Sequence, residues 1–331
     1  MDITAPLPWH MDAWNQLVER QRQSSMPHAV LLAGMSGLGK SLLADALARS
    51  LLCESPNQDG TACGQCKSCQ QYHAGSHPDY RHVTPEEGKS VIGIEQCRQL
   101  SSFLNLTSHY GRYRVVILEP AEQLNVASAN SLLKTLEEPS EGGILILVSD
   151  KPDALLPTIR SRCQQIKLLP PTHELASQWL SSHLEQGEQV DLLLSLSANA
   201  PLKALELANE DKLSQRAELL QGLADVHSGR VNMASVAKAW SDMGIAEVVP
   251  SLQMFFADMV RLKSSNQPPV LNNPDARNEL QQIAEAVHWK QLYHHLDELN
   301  ELARRLHSSL NPQMVMEDFL ISWSRTRARA G

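Results

Sequence analysis

Long apolar runs are missing from this 331-residue chain. Stretches such as residues 144–148 fall far short of the ~20 residues that cross a membrane, so no membrane partner is expected. The opening MDITAPLPWH has no basic stretch followed by an apolar run, and no signal peptide is expected from it. Basic residues are in deficit: 29 Lys and Arg against 37 Asp and Glu give a formal net charge of −8. That argues against coating DNA or RNA by bulk charge, while leaving room for a local basic patch. Aromatics reach only 5%, too sparse to interleave with basic residues as a stacking platform for single strands. There is no internal repeat and no low-complexity tract. What remains, 42% hydrophobic and 20% charged residues, is the balance of a folded protein of two or three domains. The expected compartment is a reducing cytoplasm, where clustered cysteines hold metal more often than they form disulfides.

The first half alternates strand-like and helix-like segments. Residues 28–33 read as a buried strand ending at the glycines of GMSGLGKS. Leu43, Leu47 and Leu51 then recur every four residues, along one face of a helix. RVVIL (114–118) and ILILV (144–148) are continuous apolar runs suited to strands covered on both faces. Residues 125–136 carry Leu132, Leu133 and Leu136 at helical spacing and stop before Pro139. Strands alternating with helices imply a parallel α/β sheet. After Pro170 and Pro171 only helical periodicity remains, with Leu292, Leu296, Leu299, Leu302, Leu306 and Leu310 as one long apolar stripe. Residues 264–274 read as a loop, and Asn311-Pro312 as the N-cap and first-turn proline of a last helix.

Two motifs carry chemistry. Gly34-Met-Ser-Gly37-Leu-Gly39-Lys40-Ser41 satisfies G-x-x-x-x-G-K-[ST] at every fixed position. Glycines let such a loop wrap a phosphate so that backbone N–H groups and a helix N-terminus point at it. Lys40 would add charge near the β and γ phosphates, and Ser41 would hold Mg²⁺. ATP or ADP with Mg²⁺ is the implied ligand. Glu119, after RVVIL, would support Mg²⁺ through a water. Pro120 follows where a second acidic residue would act on water and offers no such group, so binding without efficient turnover is expected.

The second motif is Cys53-x9-Cys63-x2-Cys66-x2-Cys69, four thiols within 17 residues. Four soft sulfur ligands suit a closed, structural Zn²⁺ site; an iron–sulfur cluster accepts the same ligands, but nothing beside them suggests redox chemistry. Cys97 and Cys163 read as buried small hydrophobes. The insertion carries no basic patch and reads as a knob facing a partner.

Together the phosphate loop, the four-cysteine insertion behind its helix, His77-Pro78-Asp79, the run SANSLLKTLEEP (128–139) and Arg160-Ser161-Arg162-Cys163 resemble the AAA+ clamp-loader family. The likeness is to the delta-prime subunits of the bacterial DNA polymerase III clamp loader. It is motif-specific through about 170 residues and compositional beyond. The resemblance implies an AAA+ α/β nucleotide domain over 1–168, a small helical lid over 169–210 and a helical oligomerisation collar over 211–331. It implies a stator in a hetero-oligomeric ring with motor subunits and the delta subunit, a ring that places a sliding clamp on primed DNA during replication. It implies that Arg162 reaches a neighbour's ATP as a finger in trans, and that Ser149 matches a position sensing γ-phosphate. Active motors carry an Asp-Glu pair where this chain has Glu119-Pro120, and a lid Arg where it has Leu202. The expected enzyme activity is therefore weak or absent ATPase, with no polymerase site of its own. The alternative is a motor-type clamp-loader ATPase. The Arg325, Arg327 and Arg329 tail reads as a solvated terminus.

Overall fold

A computed structural model describes residues 5–110, 112–184, 189–209, 212–265, 268, 270–305 and 311–326. Leu306, Leu310, Arg327 and Arg329 lie outside these residues. The chain divides into two compact units, Met1–Leu175 and Ala176–Gly331.

In the first unit the order is α1 (Met11–Arg22), β1 (Ala29–Ala33), α2 (Lys40–Leu52), α3 (Lys67–His73), β2 (Tyr80–Val83) and α4 (Ile94–Leu104). There follow β3 (Arg114–Leu118), α5 (Val126–Glu137), β4 (Gly143–Ser149), α6 (Pro157–Arg160) and β5 (Gln164–Lys167). The strands form one parallel sheet in the order β2-β3-β4-β1-β5. The three strands read from continuous apolar runs are its centre, each buried along its whole length. Alternation sends their side chains to both faces. Leu31, Val116, Leu118, Leu145 and Leu147 pack with Leu100, Phe103, Leu132 and Leu136 from α4 and α5. Val30, Leu32, Val115, Ile117 and Ile146 point the other way, the side on which α2 lies against β3 and β4. Leu43, Leu47 and Leu51 of α2 are fully buried, as their spacing predicts. Burying each such side chain contributes about 1.5–3 kcal/mol.

The sequence reading found no strand at β2 or β5. Both lie at sheet edges, run only four residues and expose two or three of them. YRHV and QQIK thus lack the apolar continuity of a covered strand. Because the sheet is parallel, the C-terminal ends of β1, β3 and β4 share one edge. That edge gathers the phosphate loop, Glu119 and Ser149, where open α/β sheets bind their ligands.

The second unit is helical. Its elements are α7 (His173–Ser181), which begins just before the division, α8 (Val190–Leu196), α9 (Pro201–Asn209), α10 (Lys212–Ser228) and α11 (Met233–Met243). Then come α12 (Ile245–Ser264), α13 (Arg277–Ala286), α14 (Trp289–Arg305) and α15 (Pro312–Ser324). The α/β-then-all-α architecture is the one expected. A core built from α10 to α15 holds Trp240, Phe255, Phe256, Leu292, Leu299 and Trp323, with Leu296 and Leu302 packed at its margin. Asn311 caps α15 by accepting from the N–H groups of Gln313 (3.0 Å) and Met314 (3.2 Å). The loop after α12 is pinned from within. Fully buried Asp258 accepts from the backbone of Asn272 (3.0 Å) and Asn273 (2.7 Å), and Arg216 pairs with Asp275 at 2.7 Å. Among the described residues no single helix is long and apolar enough to cross a membrane.

Candidate functional site

The phosphate loop joins β1 to α2. Gly37 and Gly39 take φ of 80° and 77°, a region L side chains rarely enter. Gly34 is required for a different reason: a Cβ there would sit 2.5 Å from the carbonyl oxygen of Leu168. The loop is also held from the N-terminal side, because the Leu38 carbonyl accepts from Trp9 Nε1 (2.9 Å) and from His10 Nε2 (2.7 Å). His10 accepts the Leu7 N–H at Nδ1, so its proton belongs on Nε2. Burial and the nearby Lys40 charge hold its pKa below the usual value.

Lys40 is 4% exposed. Its ammonium donates to the Met35 carbonyl (2.7 Å) and forms an ion pair with Asp150. The Ser41 hydroxyl donates to Glu119 Oε1. His82 Nε2 lies 3.5 Å from the other oxygen of that carboxylate. Burial pushes the Glu119 carboxyl up. Hydrogen bonds from His82 and Ser41, with the charge of Lys40, outweigh it and hold the pKa low, so the group is an anion at neutral pH. Ser149 is buried at the end of β4, where its hydroxyl accepts the Lys151 N–H at 3.2 Å. Gly34, Gly37, Gly39, Lys40, Ser41, Glu119 and Ser149 thus gather at one sheet edge. The donor set fits a magnesium nucleotide: an ammonium already answered by a carboxylate would accept a phosphate oxygen in its place, and a hydroxyl beside an anionic Glu suits a hard cation. Asp150 is the residue that sequence reasoning missed. The signal was available, since it directly follows Ser149.

The four cysteines converge at the other end of α2, where Cys53 is the C-cap and Cys66 the N-cap of α3. Their sulfurs all lie within 4.8 Å of one another, with Cys53–Cys66 and Cys63–Cys69 both at 4.0 Å. A tetrahedral ZnS₄ centre with Zn–S near 2.3 Å needs S···S separations of roughly 3.8 Å. The fit is close. Backbone N–H groups of Cys63, Cys66 and Cys69 aim at the sulfurs of Cys53, Cys63 and Cys66, at 3.3–3.4 Å, as suits thiolates. Hydrogen bonds from the backbone of Gln65 and Cys66 lower the Cys63 thiol to about 6, while burial raises those of Cys53 and Cys69. The four together can hold a metal such as zinc, which would take the place of the protons.

The insertion is tied to the domain. Trp14 Nε1 donates to the Asp59 carbonyl (2.9 Å), and Ser68 donates to the Leu52 carbonyl (2.6 Å). His77, of the His-Pro-Asp run, meets the Ser68 hydroxyl at 2.8 Å and accepts the Asp79 N–H at Nδ1 (3.1 Å). Buried Asp79 in turn accepts from the backbone of His109 and Tyr110 and lies 3.2 Å from Arg114. That motif is structural. It joins the cysteine knob to the edge of the sheet.

Arg162 sits in the turn between α6 and β5. Its guanidinium donates to the Thr158 carbonyl (3.0 Å) and pairs with Glu137 Oε1 at 2.6 Å, so its partners come from α6 and α5 rather than from the phosphate loop. Burial raises the thiols of Cys163, to about 12, and Cys97, to about 11, which keeps both in the thiol form at neutral pH. Cys97 is fully buried and Cys163 half-buried. Leu202 occupies the first turn of α9, with Lys203 beside it.

A family model described as "DNA polymerase III, delta subunit" matches residues 9–172, and one described as "DNA polymerase III, delta subunit, C terminal" matches 210–325. Over 325 residues the chain is 35% identical to the DNA polymerase III subunit delta' of Pseudomonas aeruginosa, covering 96% of this chain and 97% of that one. The subunit delta' of Escherichia coli is 38% identical over 218 residues, 66% of this chain and 65% of its own. That of Yersinia pestis is 34% identical over 96% of this chain and 94% of its own. With the phosphate loop, the cysteine knob and the Ser-Arg-Cys turn in the places described, the chain belongs to the DNA polymerase III subunit delta' family.

Proposed function

We propose that this chain is the stator of a DNA polymerase III clamp loader, a cytoplasmic ring that places a sliding clamp on primed DNA during replication. Its partners are the motor subunits and the delta subunit, with clamp and primer–template DNA reached through the assembly. The lid spans 169–210 and the collar 211–331; the bipartite family match and a core whose members all fall between Leu219 and Trp323 support that division. Arg162 serves in trans at a neighbouring motor's ATP, where its planar, permanently charged fork stabilises charge on the γ-phosphate. The observation that carries this reading is the placement of Arg162, bonded to α5 and α6 and not to its own chain's phosphate loop, in a chain of this family.

Gly34, Gly37, Gly39, Lys40 and Ser41 hold ATP or ADP, Glu119 supports Mg²⁺, and Ser149 faces the terminal phosphate. Turnover at this site is weak, because Pro120 brings no side-chain group to orient water. Zinc held by Cys53, Cys63, Cys66 and Cys69 is structural. The alternative, a motor-type ATPase, draws on the Ser41–Glu119 hydrogen bond. DNA-stimulated ATP hydrolysis by the complex reconstituted with its motors separates the two. Arg162→Ala should lower the rate by about 10³-fold or more at the site it serves, and this chain alone should show no turnover. Steady turnover by the chain alone, abolished in Lys40→Ala, would support the motor reading.

A further inference from the structure

We propose that Glu137 is a positioning residue for Arg162, an inference that rests on the trans-finger reading above. A guanidinium has five N–H donors in a rigid fork. Here one terminal nitrogen donates to the Thr158 carbonyl and the other pairs with Glu137. Two acceptors from two different helices fix both the plane and the direction of the group, while the donors left over remain for an outside phosphate. The Arg162 side chain keeps 35% of its surface exposed, so it is held without being covered.

The supports on both sides are rigid. The Arg162 backbone N–H donates to the Ile159 carbonyl (3.1 Å), and Ile159 is fully buried. Glu137 closes α5, a helix capped by Asn125 and anchored by buried Leu132 and Leu136. An acidic residue in the last turn of a helix meets the negative end of its dipole, so Glu137 does not serve α5 itself. Its charge is answered by Arg162. A half-exposed pair of this kind is weak, which lets a phosphate oxygen displace or share it without a large barrier. Glu137 thus removes the torsional freedom of a long side chain before the neighbour's nucleotide arrives.

The test uses the complete complex with its motors, ATP and primed DNA, comparing Glu137→Ala, Glu137→Gln, Arg162→Ala and the double variant Glu137→Ala/Arg162→Ala. Glu137→Ala should lower kcat by about five- to tenfold through lost orientation, with KM for ATP changing less than about twofold. Glu137→Gln, which keeps an acceptor, should fall between wild type and Ala. The double variant should be no slower than Arg162→Ala alone. An unchanged kcat in Glu137→Ala while Arg162→Ala is impaired overturns this inference and leaves the finger intact. So does a double variant slower than Arg162→Ala. If Arg162→Ala itself changes nothing, the finger reading falls, and this one with it. Should Glu137→Ala fail to enter the complex, a loss in Glu137→Gln with no further loss in Glu137→Gln/Arg162→Ala relative to Arg162→Ala upholds the inference, and an unchanged kcat in Glu137→Gln overturns it.

Discussion

Helix α2 has a site at each end. Lys40 opens it at the phosphate loop and Cys53 caps it at the cysteine knob, a span of 13 residues, roughly 20 Å. At the first end the groups proposed to meet a nucleotide are paired with side chains that follow other strands: Lys40 with Asp150, and Ser41 with Glu119. At the second end four sulfurs face chiefly one another and their own loop's N–H groups. An exchangeable site tolerates coming and going. A cation held by four thiols would have no substitute there, and such a ligand would become part of the fold.

Metal removal should therefore break the comparison most visibly. Native mass spectrometry should find one zinc per chain, and its removal should lower the melting temperature by on the order of 10 °C, since several kcal/mol of metal affinity is folding energy. A melting temperature within about 2 °C of the holo value after verified metal loss would exclude a structural role. Nucleotide removal should shift it far less.

The next effect comes from the way the knob docks. Gly60 has φ of 84°, and a Cβ there would fall 2.3 Å from Val18 Cγ2 in the buried face of α1. Gly60→Ala should cost about 2–4 kcal/mol, from left-handed strain plus overpacking. Chemical denaturation measures it, and Val18→Ala in the same chain should restore part of the loss. A neutral Gly60→Ala would mean that the knob is not seated on α1 as described.

At the exchangeable end the effect is smaller and opposite in sign. Removing the competing carboxylate by Asp150→Asn should tighten ATP or ADP binding by about three- to tenfold, as expected for a part-exposed ion pair worth near 1 kcal/mol. Equilibrium titration with a fluorescent nucleotide reads it, with Lys40→Ala as the variant that should lose binding. Weaker binding in Asp150→Asn would show that Asp150 supports the ligand instead of competing with it.

The smallest effect is a pH dependence. Burial holds the His77 pKa below its usual value, against the opposing pull of Asp79. The unfolded chain takes up this proton near pH ~6.5 while the folded chain resists it. The contribution is full above that pH and is lost as pH falls through the lowered folded value. His10 acts in the same direction for the same reason, burial. Stability measured from pH 8 to pH 5 should fall on the acid side, and less steeply in His77→Gln. An identical slope in that variant would assign the acid loss elsewhere.

The two ends of α2 also differ in how legible they were. The phosphate loop and the four cysteines are each written in a short segment, so spacing alone brought out the residue types and their chemistry. The central strands were legible because coverage on both faces demands continuous apolar residues. Edge strands β2 and β5 were not, since a half-exposed strand leaves no such run. The partners of the functional groups were hardest to see. Lys40 opens α2 after β1 while Asp150 follows β4, Glu137 and Arg162 are separated by all of β4, and His77 meets Ser68 across the turn that follows α3.

By itself, then, the sequence determined an α/β unit followed by helices, a glycine-rich loop ahead of α2, and a cysteine quartet suited to a metal behind it. Each depends on interactions within a turn or two of chain, or on a periodicity that burial imposes. Tertiary structure alone decided that parallel β1, β3 and β4 deliver Lys40, Glu119 and Asp150 to one edge. It also decided that Glu137 and Thr158 hold Arg162 from two helices. Pairings between distant segments are set by sheet order and helix packing, where one carboxylate among many is chosen by geometry rather than by its neighbours in the chain.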